Sequence, residues 1–344
     1  MHRPIKIGLT MGDPAGVGPE VILKVLENYQ SEGGCPSFEP ILFGDIRVFD
    51  ELAGKMGLQI NFFTARNTSD LQKTGEGFPV FSDARWIVNR DEVIPGKPTV
   101  KGAQLSFLAI KNAVQAIKDG WIEAIVTAPI DKSNVAKIEA NFSGHTEYLA
   151  KEFNVPAIML FDSEGLRISL VTNHLALRDV PDLITSHRVF QTIRQTHLVL
   201  ENEFNVENPK LAVLAVNPHG GESCFAGQGE DGRIALAVKE AQLEKMNCAG
   251  PFAADGFFGE YFHGGLNKKY DAVVAMYHDQ GLIPVKMHGF HDSTNITLGL
   301  PCVRTSVSHG VAYDIAGTGS ANPKSLFRAI DVAVKLALRR RKFR

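Results

Sequence analysis

Short runs of β-branched and aliphatic residues alternate along this chain with longer segments in which apolar residues recur every three or four positions. This alternation constrains the fold most, because parallel strands need a long crossover between them, and that crossover is usually a helix. The pattern predicts an α/β fold with a largely parallel sheet. The predicted strands are residues 5–9, 41–43, 124–127, 157–161, 167–171, 211–216 and 272–276.

Two predicted helices have the clearest periodicity. Residues 100–119 place their apolar side chains on one face, and Gly120 follows as a typical helix stop. Residues 322–340 repeat an apolar residue every four positions, with Asn322 suited to cap the helix and Pro323 suited to its first turn. We expect this last helix to pack on the sheet.

The chain length predicts two lobes. It has 344 residues, whereas a single domain usually has roughly 100 to 200. No Pro/Gly/Ser-rich linker separates two halves, so we expect interleaved lobes that form one catalytic unit over residues 1–344. Lobe A is placed approximately at residues 1–140 and 290–344, and lobe B at residues 141–289.

Charge and hydrophobicity argue against nucleic-acid and membrane partners. The net charge of −2 gives no overall basic field, and no apolar run approaches the roughly 18 residues of a membrane span. The first residues lead directly into a strand without an apolar signal core, so we expect a cytoplasmic protein. Its four cysteines contain no C-x-x-C pair, and we expect them to be reduced thiols.

Three histidines each follow a predicted strand. His174 comes after residues 167–171, His219 after 211–216, and His278 after 272–276. The carboxyl ends of parallel strands meet at the ligand-binding edge of a sheet, so this set predicts one shared metal site. Three neutral imidazoles favour Zn, Co or Mn over the harder Mg. Each histidine taken alone is more typical of an ordinary loop residue.

Several other polar residues are suited to an anionic substrate. His145 and Thr146 open a predicted helix, where they could bind a ligand or simply cap the helix. Lys286, Asn295 and Arg304 supply two cations and an amide, which suit a phosphate or carboxylate but also suit surface salt bridges.

Asp255 could orient a histidine ligand or a metal-bound hydroxyl, and it could equally be a turn residue. With Lys286 it is a candidate catalytic residue.

A glycine-rich loop follows the first strand. Gly12, Gly16 and Gly18 lie where backbone amides commonly meet phosphate, which makes them candidate cofactor-binding residues. The spacing is not the dinucleotide fingerprint, because a G-x-G-x-x-G motif beginning at Gly16 would need glycine at Val21. A tight turn between strand and helix explains the same glycines.

Taken together, these motifs resemble the 4-hydroxythreonine-4-phosphate dehydrogenase (PdxA) family of vitamin B6 biosynthesis. The resemblance runs from Gly8 to beyond Gly319. The matching segments are residues 12–20, 144–147, 174–179, 217–222, 277–281, 295–301 and 304–310. The resemblance implies a two-lobed α/β/α sandwich like that of isocitrate and isopropylmalate dehydrogenases, which is not a Rossmann domain.

The resemblance also implies a site and an assembly. Positions matching His174, His219 and His278 bind one divalent metal (Zn, Co, Mn or Mg), with the last histidine contributed by the partner subunit of a homodimer. In the family, the phosphorylated substrate is bound at five further positions, which match His145, Thr146, Lys286, Asn295 and Arg304.

The implied reaction is oxidation of 4-phosphooxy-L-threonine by NAD or NADP, with decarboxylation to 3-amino-2-oxopropyl phosphate and CO2. Ser308 stands where relatives often carry aspartate, which leaves substrate identity open. The alternative substrates are erythronate or threonate 4-phosphate and a dihydrodiol dicarboxylate. A metal-dependent hydrolase and a non-catalytic metal-binding protein are the alternatives from other functional classes, although the H-E-x-x-H and H-x-H arrangements of such hydrolases are missing from the sequence.

Overall fold

A computed structural model describes residues 3–33, 37–67, 69–72, 77–82, 92–140, 142–221, 229–289 and 292–342. Of the four predicted thiols, Cys35 and Cys224 lie outside these ranges, while Cys248 and Cys302 are buried free thiols. No helix of the described ranges has both the length and the apolar character needed to cross a membrane.

The described residues form strands and helices in alternation, as the sequence predicted, and the α/β class is confirmed. The strands are β1 (Ile5–Thr10), β2 (Phe38–Phe43), β3 (Phe62–Ala65), β4 (Phe78–Phe81), β5 (Ala124–Thr127), β6 (Ile158–Ser163), β7 (Leu166–Leu170), β8 (Leu211–Leu214), β9 (Cys248–Phe252), β10 (Ala272–Ala275), β11 (Ser293–Leu298) and β12 (Val303–Val307).

Both helices with clear periodicity are present, as α3 and α11. The helices are α1 (Gly18–Ser31), α2 (Ile46–Met56), α3 (Val100–Lys118), α4 (Lys132–Val135), α5 (His145–Phe153), α6 (Val180–Leu183), α7 (Ser186–Asn202), α8 (Glu230–Leu243), α9 (Ala254–Gly259), α10 (His278–His288) and α11 (Lys324–Arg341). Short helical turns cover Asp70–Gln72, Leu177–Asp179, Pro218–Gly221, Glu260–Gly264 and Leu266–Lys268.

The chain divides into two compact units. Unit 1 comprises Met1–Asn154 and Leu300–Leu338, and unit 2 comprises Val155–Gly299 and Arg339–Arg344. Each unit contains strands from distant parts of the sequence and has its own buried apolar core.

Unit 1 contains strands in the order β3-β4-β2-β1-β5-β12, with parallel pairing throughout. The central strand β1 buries Ile5, Ile7 and Leu9 almost completely, which explains its nearly continuous apolar sequence. Parallel pairing places the carboxyl ends of β1, β5 and β12 at one edge. Thr305 on β12 donates to the carbonyl of Ala329, so α11 packs on this sheet as expected.

Unit 2 contains strands in the order β11-β6-β7-β10-β8-β9. β6 is antiparallel to β11 and β7, whereas the pairs from β7 to β9 are parallel. One core cluster joins α7 and α8 to the sheet, and a second joins α9 and α10 to it. The carboxyl ends of β7, β10 and β8 therefore lie side by side at one edge of unit 2.

Candidate active site

All three predicted metal-binding histidines follow neighbouring strands of unit 2. His174 follows β7, His219 lies in the turn after β8, and His278 is the first residue of α10, directly after β10. The prediction that each histidine follows a strand is confirmed, and their shared metal stays a prediction.

Two buried polar side chains fasten these strand ends together. Thr172 donates from Oγ1 to the carbonyl of Met276 at 2.7 Å. Gln280 accepts from the amide of Met276 at 2.7 Å and donates from Nε2 to the carbonyl of Ala215, also at 2.7 Å. Because both side chains are buried, these hydrogen bonds are shielded from competing water. They hold the loops that carry the histidines in fixed positions.

His174 and His278 are brought together within one chain. Their ring centroids lie 5.6 Å apart with an interplanar angle of 40°. Both rings therefore lie at the same edge of the unit 2 sheet. His278 Nδ1 lies 2.7 Å from Asp279 Oδ1, which leaves Nε2 to face a ligand.

The same histidine pair lines a pocket of unit 2. Its volume is about 490 Å³, and its lining includes Asn173, Leu177 and Tyr277. The pocket gives a small molecule access to both imidazoles.

His219 has an unusual backbone conformation. Its φ of 54° lies in the left-handed region, where residues other than glycine are uncommon and which is often found at functional sites. Asp231 on α8 holds the preceding residues, accepting from the amide of Val216 at 2.8 Å and from Asn217 Nδ2 at 2.7 Å. Within the ranges that the structure describes, no three His, Cys, Asp or Glu side chains form a group that could hold a metal ion. His219 thus does not complete the His174 and His278 pair within one chain.

The remaining predicted residues of unit 2 occupy three different elements. Asp255 is exposed in the first turn of α9. Lys286 is on α10, where partial burial lowers its pKa. Asn295 is on β11, and its buried Oδ1 accepts no hydrogen bond within the described ranges. An amide oxygen in this state is suited to a ligand that donates a hydrogen bond.

Unit 1 contains the other predicted anion-binding residues. Arg304 on β12 is only 2% exposed, and its Nη2 donates to Thr127 Oγ1 at 2.7 Å. Burial lowers the pKa of Arg304 to about 10, with Glu147 opposing that shift. A guanidinium with a pKa near 10 is still charged at neutral pH, so Arg304 is a buried cation whose side chain reaches Thr127, the last residue of β5.

His145 and Thr146 open α5. Burial, reinforced by the nearby cations Arg304 and Lys132, lowers the pKa of His145 well below its ordinary value. The ring is therefore neutral at pH 7, and its buried Nε2 has no hydrogen-bond partner among the described residues. The N-cap Gly144 offers no side-chain cap to the start of α5.

Lys132 is a functional candidate that the sequence motifs did not reveal. A Cβ placed on Gly144 would lie 3.4 Å from Lys132 Nζ and 2.9 Å from Glu147 Oε2, so both charged groups flank the start of α5. A possible sequence signal was its place five residues after the buried strand β5, on the first turn of α4. Partial burial lowers the pKa of Lys132. The carboxylate of Glu147 opposes this shift, and the positive charge of Arg304 reinforces it.

The glycine-rich loop of unit 1 packs against the protein's own backbone. Gly12 has φ of 72°, and a Cβ there would lie 2.4 Å from the carbonyl of Pro129. A Cβ on Gly18 would lie 2.4 Å from Met11 O, and a Cβ on Gly16 would lie 2.8 Å from Val311 O. This packing explains why these positions need glycine. Their contact with a nicotinamide cofactor stays a prediction.

Two buried carboxylates connect this loop to distant segments. Asp13 accepts from Tyr313 Oη at 2.9 Å, and Asp131, the cap of α4, lies 3.2 Å from the same hydroxyl. Glu20 accepts from the amides of Gly317 and Ala321 at 3.1 and 2.7 Å. The loop after β1 and the segment after β12 are therefore one rigid network within unit 1.

Polar and charged side chains gathered at the carboxyl edges of mainly parallel strands define an α/β enzyme that acts on a small charged molecule. The chain belongs to the family described as pyridoxal phosphate biosynthetic protein PdxA, whose model matches residues 37–333.

The relatives carry dehydrogenase names, which confirms the expectation of an oxidoreductase. The 4-hydroxythreonine-4-phosphate dehydrogenase of Trichlorobacter lovleyi is 38% identical over 97% of this chain and 98% of its own. A relative from Oceanobacillus iheyensis, named as a candidate D-threonate 4-phosphate dehydrogenase, is 36% identical over 97% of this chain and 98% of its own.

A solved structure has the same fold. The crystal structure of 4-hydroxythreonine-4-phosphate dehydrogenase from Klebsiella pneumoniae matches with a TM-score of 0.80 and 31% identity, covering 97% of this chain and 99% of that chain.

Proposed function

We propose that this chain catalyses the NAD(P)-dependent oxidation of 4-phosphooxy-L-threonine, with decarboxylation to 3-amino-2-oxopropyl phosphate and CO2, in pyridoxal phosphate biosynthesis. Membership of the PdxA family and the dehydrogenase names of its relatives support this reaction. The structural observation that carries the proposal is that His174, His219 and His278 follow neighbouring strands at one sheet edge, where a pocket is large enough for a small substrate.

His174, His219 and His278 are the proposed ligands of one divalent ion, which is Zn, Co, Mn or Mg. Their positions at neighbouring strand ends, and the ring nitrogen of His278 opposite its contact with Asp279, are suited to such an ion. When bound, the ion supplies Lewis-acid chemistry, which lowers the pKa of a coordinated hydroxyl and polarises a carbonyl.

The proposed substrate-binding residues are His145, Thr146, Lys286, Asn295 and Arg304. In unit 1, Arg304 supplies a buried positive charge, and His145 and Thr146 supply polar atoms at the start of α5. In unit 2, Lys286 and Asn295 supply a cation and an amide. Groups of these kinds bind phosphate and carboxylate, and holding a substrate in one orientation is a large part of enzymatic rate enhancement.

Lys286 and Asp255 are the proposed catalytic residues. Partial burial lowers the pKa of Lys286, so its amine can release and regain a proton more readily than an exposed lysine. Asp255 is exposed on the first turn of α9, and its proposed role is to orient a histidine ligand or a metal-bound hydroxyl. Gly12, Gly16 and Gly18 are the proposed contacts of NAD or NADP.

We also propose a cytoplasmic homodimer in which His278 completes the metal site begun by His174 and His219 of the other subunit. The helix α10, which begins at His278, exposes Ile283 (58%) and Met287 (81%). Large apolar side chains that are exposed on a helix next to a functional residue favour an interface with a second copy.

Nicotinamide absorbance with a panel of substrates tests this function. We expect NADH or NADPH to form from 4-phosphooxy-L-threonine, to stop after chelation, and to recover when a divalent ion is restored. Absence of turnover with every metal and both cofactors would overturn the assignment.

D-threonate or D-erythronate 4-phosphate is the second candidate substrate. The Oceanobacillus relative is named for D-threonate 4-phosphate, which is one reason to test this substrate. The other is Ser308, which stands where relatives often carry aspartate. A much higher kcat/KM for the sugar-acid phosphate would assign that substrate instead, and a dihydrodiol dicarboxylate belongs in the same panel.

A further inference from the structure

One hydroxyl group connects three loops at the carboxyl edge of the unit 1 strands. The strands β1, β5 and β12 are parallel neighbours, and the loops that follow them contain Asp13, Asp131 and Tyr313. The Tyr313 hydroxyl donates to Asp13 Oδ2 at 2.9 Å and to Asp131 Oδ2 at 3.2 Å. Ligands usually bind at this edge of a parallel sheet, so the hydroxyl fixes loops that lie where a ligand is expected.

The two carboxylates are close enough to repel each other. Both oxygens contact the same hydroxyl, so they lie no further apart than the sum of the two distances, about 6 Å, and like charges interact over that range. Asp13 is fully buried, where water screens the repulsion poorly. Burial raises the pKa of Asp13, and the charge of Asp131 reinforces that shift. The Tyr313 hydroxyl is the donor that both carboxylates share.

Each carboxylate is also bonded to the backbone of its own loop. Asp13 Oδ1 accepts from the amide of Ala15 at 2.9 Å, and the Asp13 carbonyl accepts from the amide of Gly16 at 3.0 Å. Asp131, the N-cap of α4, accepts from the amide of Asn134 at 3.1 Å and from its side chain at 2.9 Å. A displacement of either carboxylate therefore moves backbone, in the glycine-rich loop or at the start of α4.

We propose that Tyr313 is a positioning residue, whose hydroxyl bridges Asp13 and Asp131 and so holds the glycine-rich loop in place at the edge of the sheet. The loop carries the proposed contacts of NAD or NADP, so the consequence for cofactor binding rests on the proposed function. Without the hydroxyl, repulsion between the carboxylates displaces the loop. Its backbone hydrogen bonds, such as that from Val17 to the carbonyl of Val311 at 2.9 Å, then open more often.

A role for the Tyr313 ring alone makes a different prediction. The residue packs closely against its surroundings, because its carbonyl lies 2.9 Å from the position of a Cβ on Gly96. Phenylalanine keeps the ring and removes only the hydroxyl, so Tyr313→Phe behaves as the wild type if packing is the whole role. If the hydroxyl separates two charges, removing one charge with Asp131→Asn reverses the effect of Tyr313→Phe.

Amide hydrogen exchange of the full-length protein tests the proposal without any nucleotide, in mildly alkaline buffer that favours ionised carboxylates. We expect Tyr313→Phe to speed exchange at residues 15–17 about tenfold, since a hydrogen bond to a charged group is lost. The double variant Tyr313→Phe/Asp131→Asn should recover most of the protection, because asparagine still caps α4 and carries no charge. Tyr270→Phe is the matched control. This tyrosine packs on Phe252 in unit 2, and its loss of a hydroxyl should leave exchange at residues 15–17 unchanged.

Unchanged exchange in Tyr313→Phe overturns the proposal, and so does a double variant that exchanges as fast as Tyr313→Phe. Thermal unfolding shows whether Tyr313→Phe is folded. If it is not, recovery of the wild-type thermal midpoint by the double variant carries the comparison, and failure to recover overturns the proposal.

Fluorescence titration with NADH and NADPH separates this proposal from the proposed function. Tyr313→Phe should bind the preferred nucleotide about tenfold more weakly than the wild type, and the double variant should recover most of the affinity. Wild-type affinity in Tyr313→Phe, despite faster exchange, overturns its role in positioning the cofactor loop. If the wild type binds neither nucleotide while exchange behaves as predicted, the proposed cofactor contacts fail and the bridge by Tyr313 stands.

Discussion

The side-chain amide of Gln280 donates to the carbonyl of Ala215 at 2.7 Å and so fastens the first turn of α10 to the end of β8. The same side chain accepts from the amide of Met276. One buried residue therefore fixes the positions from which His219 and His278 project. Both main-chain groups would lose their partner without it.

We expect Gln280→Leu to lower the free energy of unfolding by about 3 kcal/mol, because it leaves a buried carbonyl and a buried amide unpaired. Urea denaturation measures this change. Gln115→Leu is the control, since Gln115 bonds Asp119 on an exposed helix face and its loss should cost less than about 0.5 kcal/mol. Equal effects of the two substitutions would contradict the proposed role of Gln280.

Glu20 is expected to stabilise the segment after β12. Its fully buried carboxylate accepts from Gly317 and Ala321, and Lys24 lies 3.4 Å away. Glu20→Ala should lower the free energy of unfolding by about 3 kcal/mol and speed proteolysis within residues 313–321. The exposed Glu27 of the same helix provides a control, because Glu27→Ala should leave both measurements nearly unchanged.

Asp13 should make stability depend on pH. Burial raises its pKa above the ordinary value of 3.8, the Ala15 amide and Tyr313 hydroxyl oppose the shift, and Asp131 reinforces it. Over the interval between the unfolded and folded pKa values, the folded state keeps a proton that the unfolded state has lost. The stability contributed by this proton is present at low pH and is lost as the pH rises through the folded pKa.

Asp13→Asn cannot ionise, so its thermal midpoint should increasingly exceed that of the wild type as the pH rises from about 3.8. Tyr313→Phe should show a steeper loss of stability with pH than the wild type, because the hydroxyl that favours the ionised carboxylate is gone. If the thermal midpoints of Asp13→Asn and the wild type differed by the same amount at every pH, this interpretation would be refuted.

Asp279 is expected to raise the metal affinity of His278 by fixing its ring. Asp279→Ala should weaken Zn or Co binding roughly tenfold or more. Asp279→Asn should have a smaller effect, because it retains the oxygen that pairs with Nδ1. Titration calorimetry measures both, with Glu244→Ala at the exposed end of α8 as the control. If Asp279→Ala bound Zn or Co with unchanged affinity, the orienting role of Asp279 would be contradicted.

The sequence predicted those parts of the fold that depend on local patterns. The apolar runs of β7, β8 and β10 identified the strands, and their order placed His174, His219 and His278 at strand ends. The strands β11 and β12 were not predicted. Their sequences, Ser293–Leu298 and Val303–Val307, contain many hydroxyl residues, so they do not read as apolar strands although most of their residues are buried.

Long-range contacts could not be predicted in the same way. The meeting of Lys132, Glu147 and Arg304 depends on the pairing of β5 with β12, which are far apart in sequence. The loop that carries His219 is likewise held by Asp231, which accepts from Val216 and Asn217. A sequence pattern reports which residues are buried or exposed, but it does not report which distant segments they join.

Complementation between inactive chains tests the central claim most directly. His219→Ala and His278→Ala should each abolish metal binding and activity. If His278 serves the site of the partner subunit, a mixed dimer of the two variants contains one intact site, and an equimolar mixture should recover about a quarter of wild-type activity. A mixture of His174→Ala and His219→Ala should recover none, because both ligands belong to the same chain's site. Failure of the first mixture to recover, when subunit exchange is demonstrated, would contradict the shared metal site.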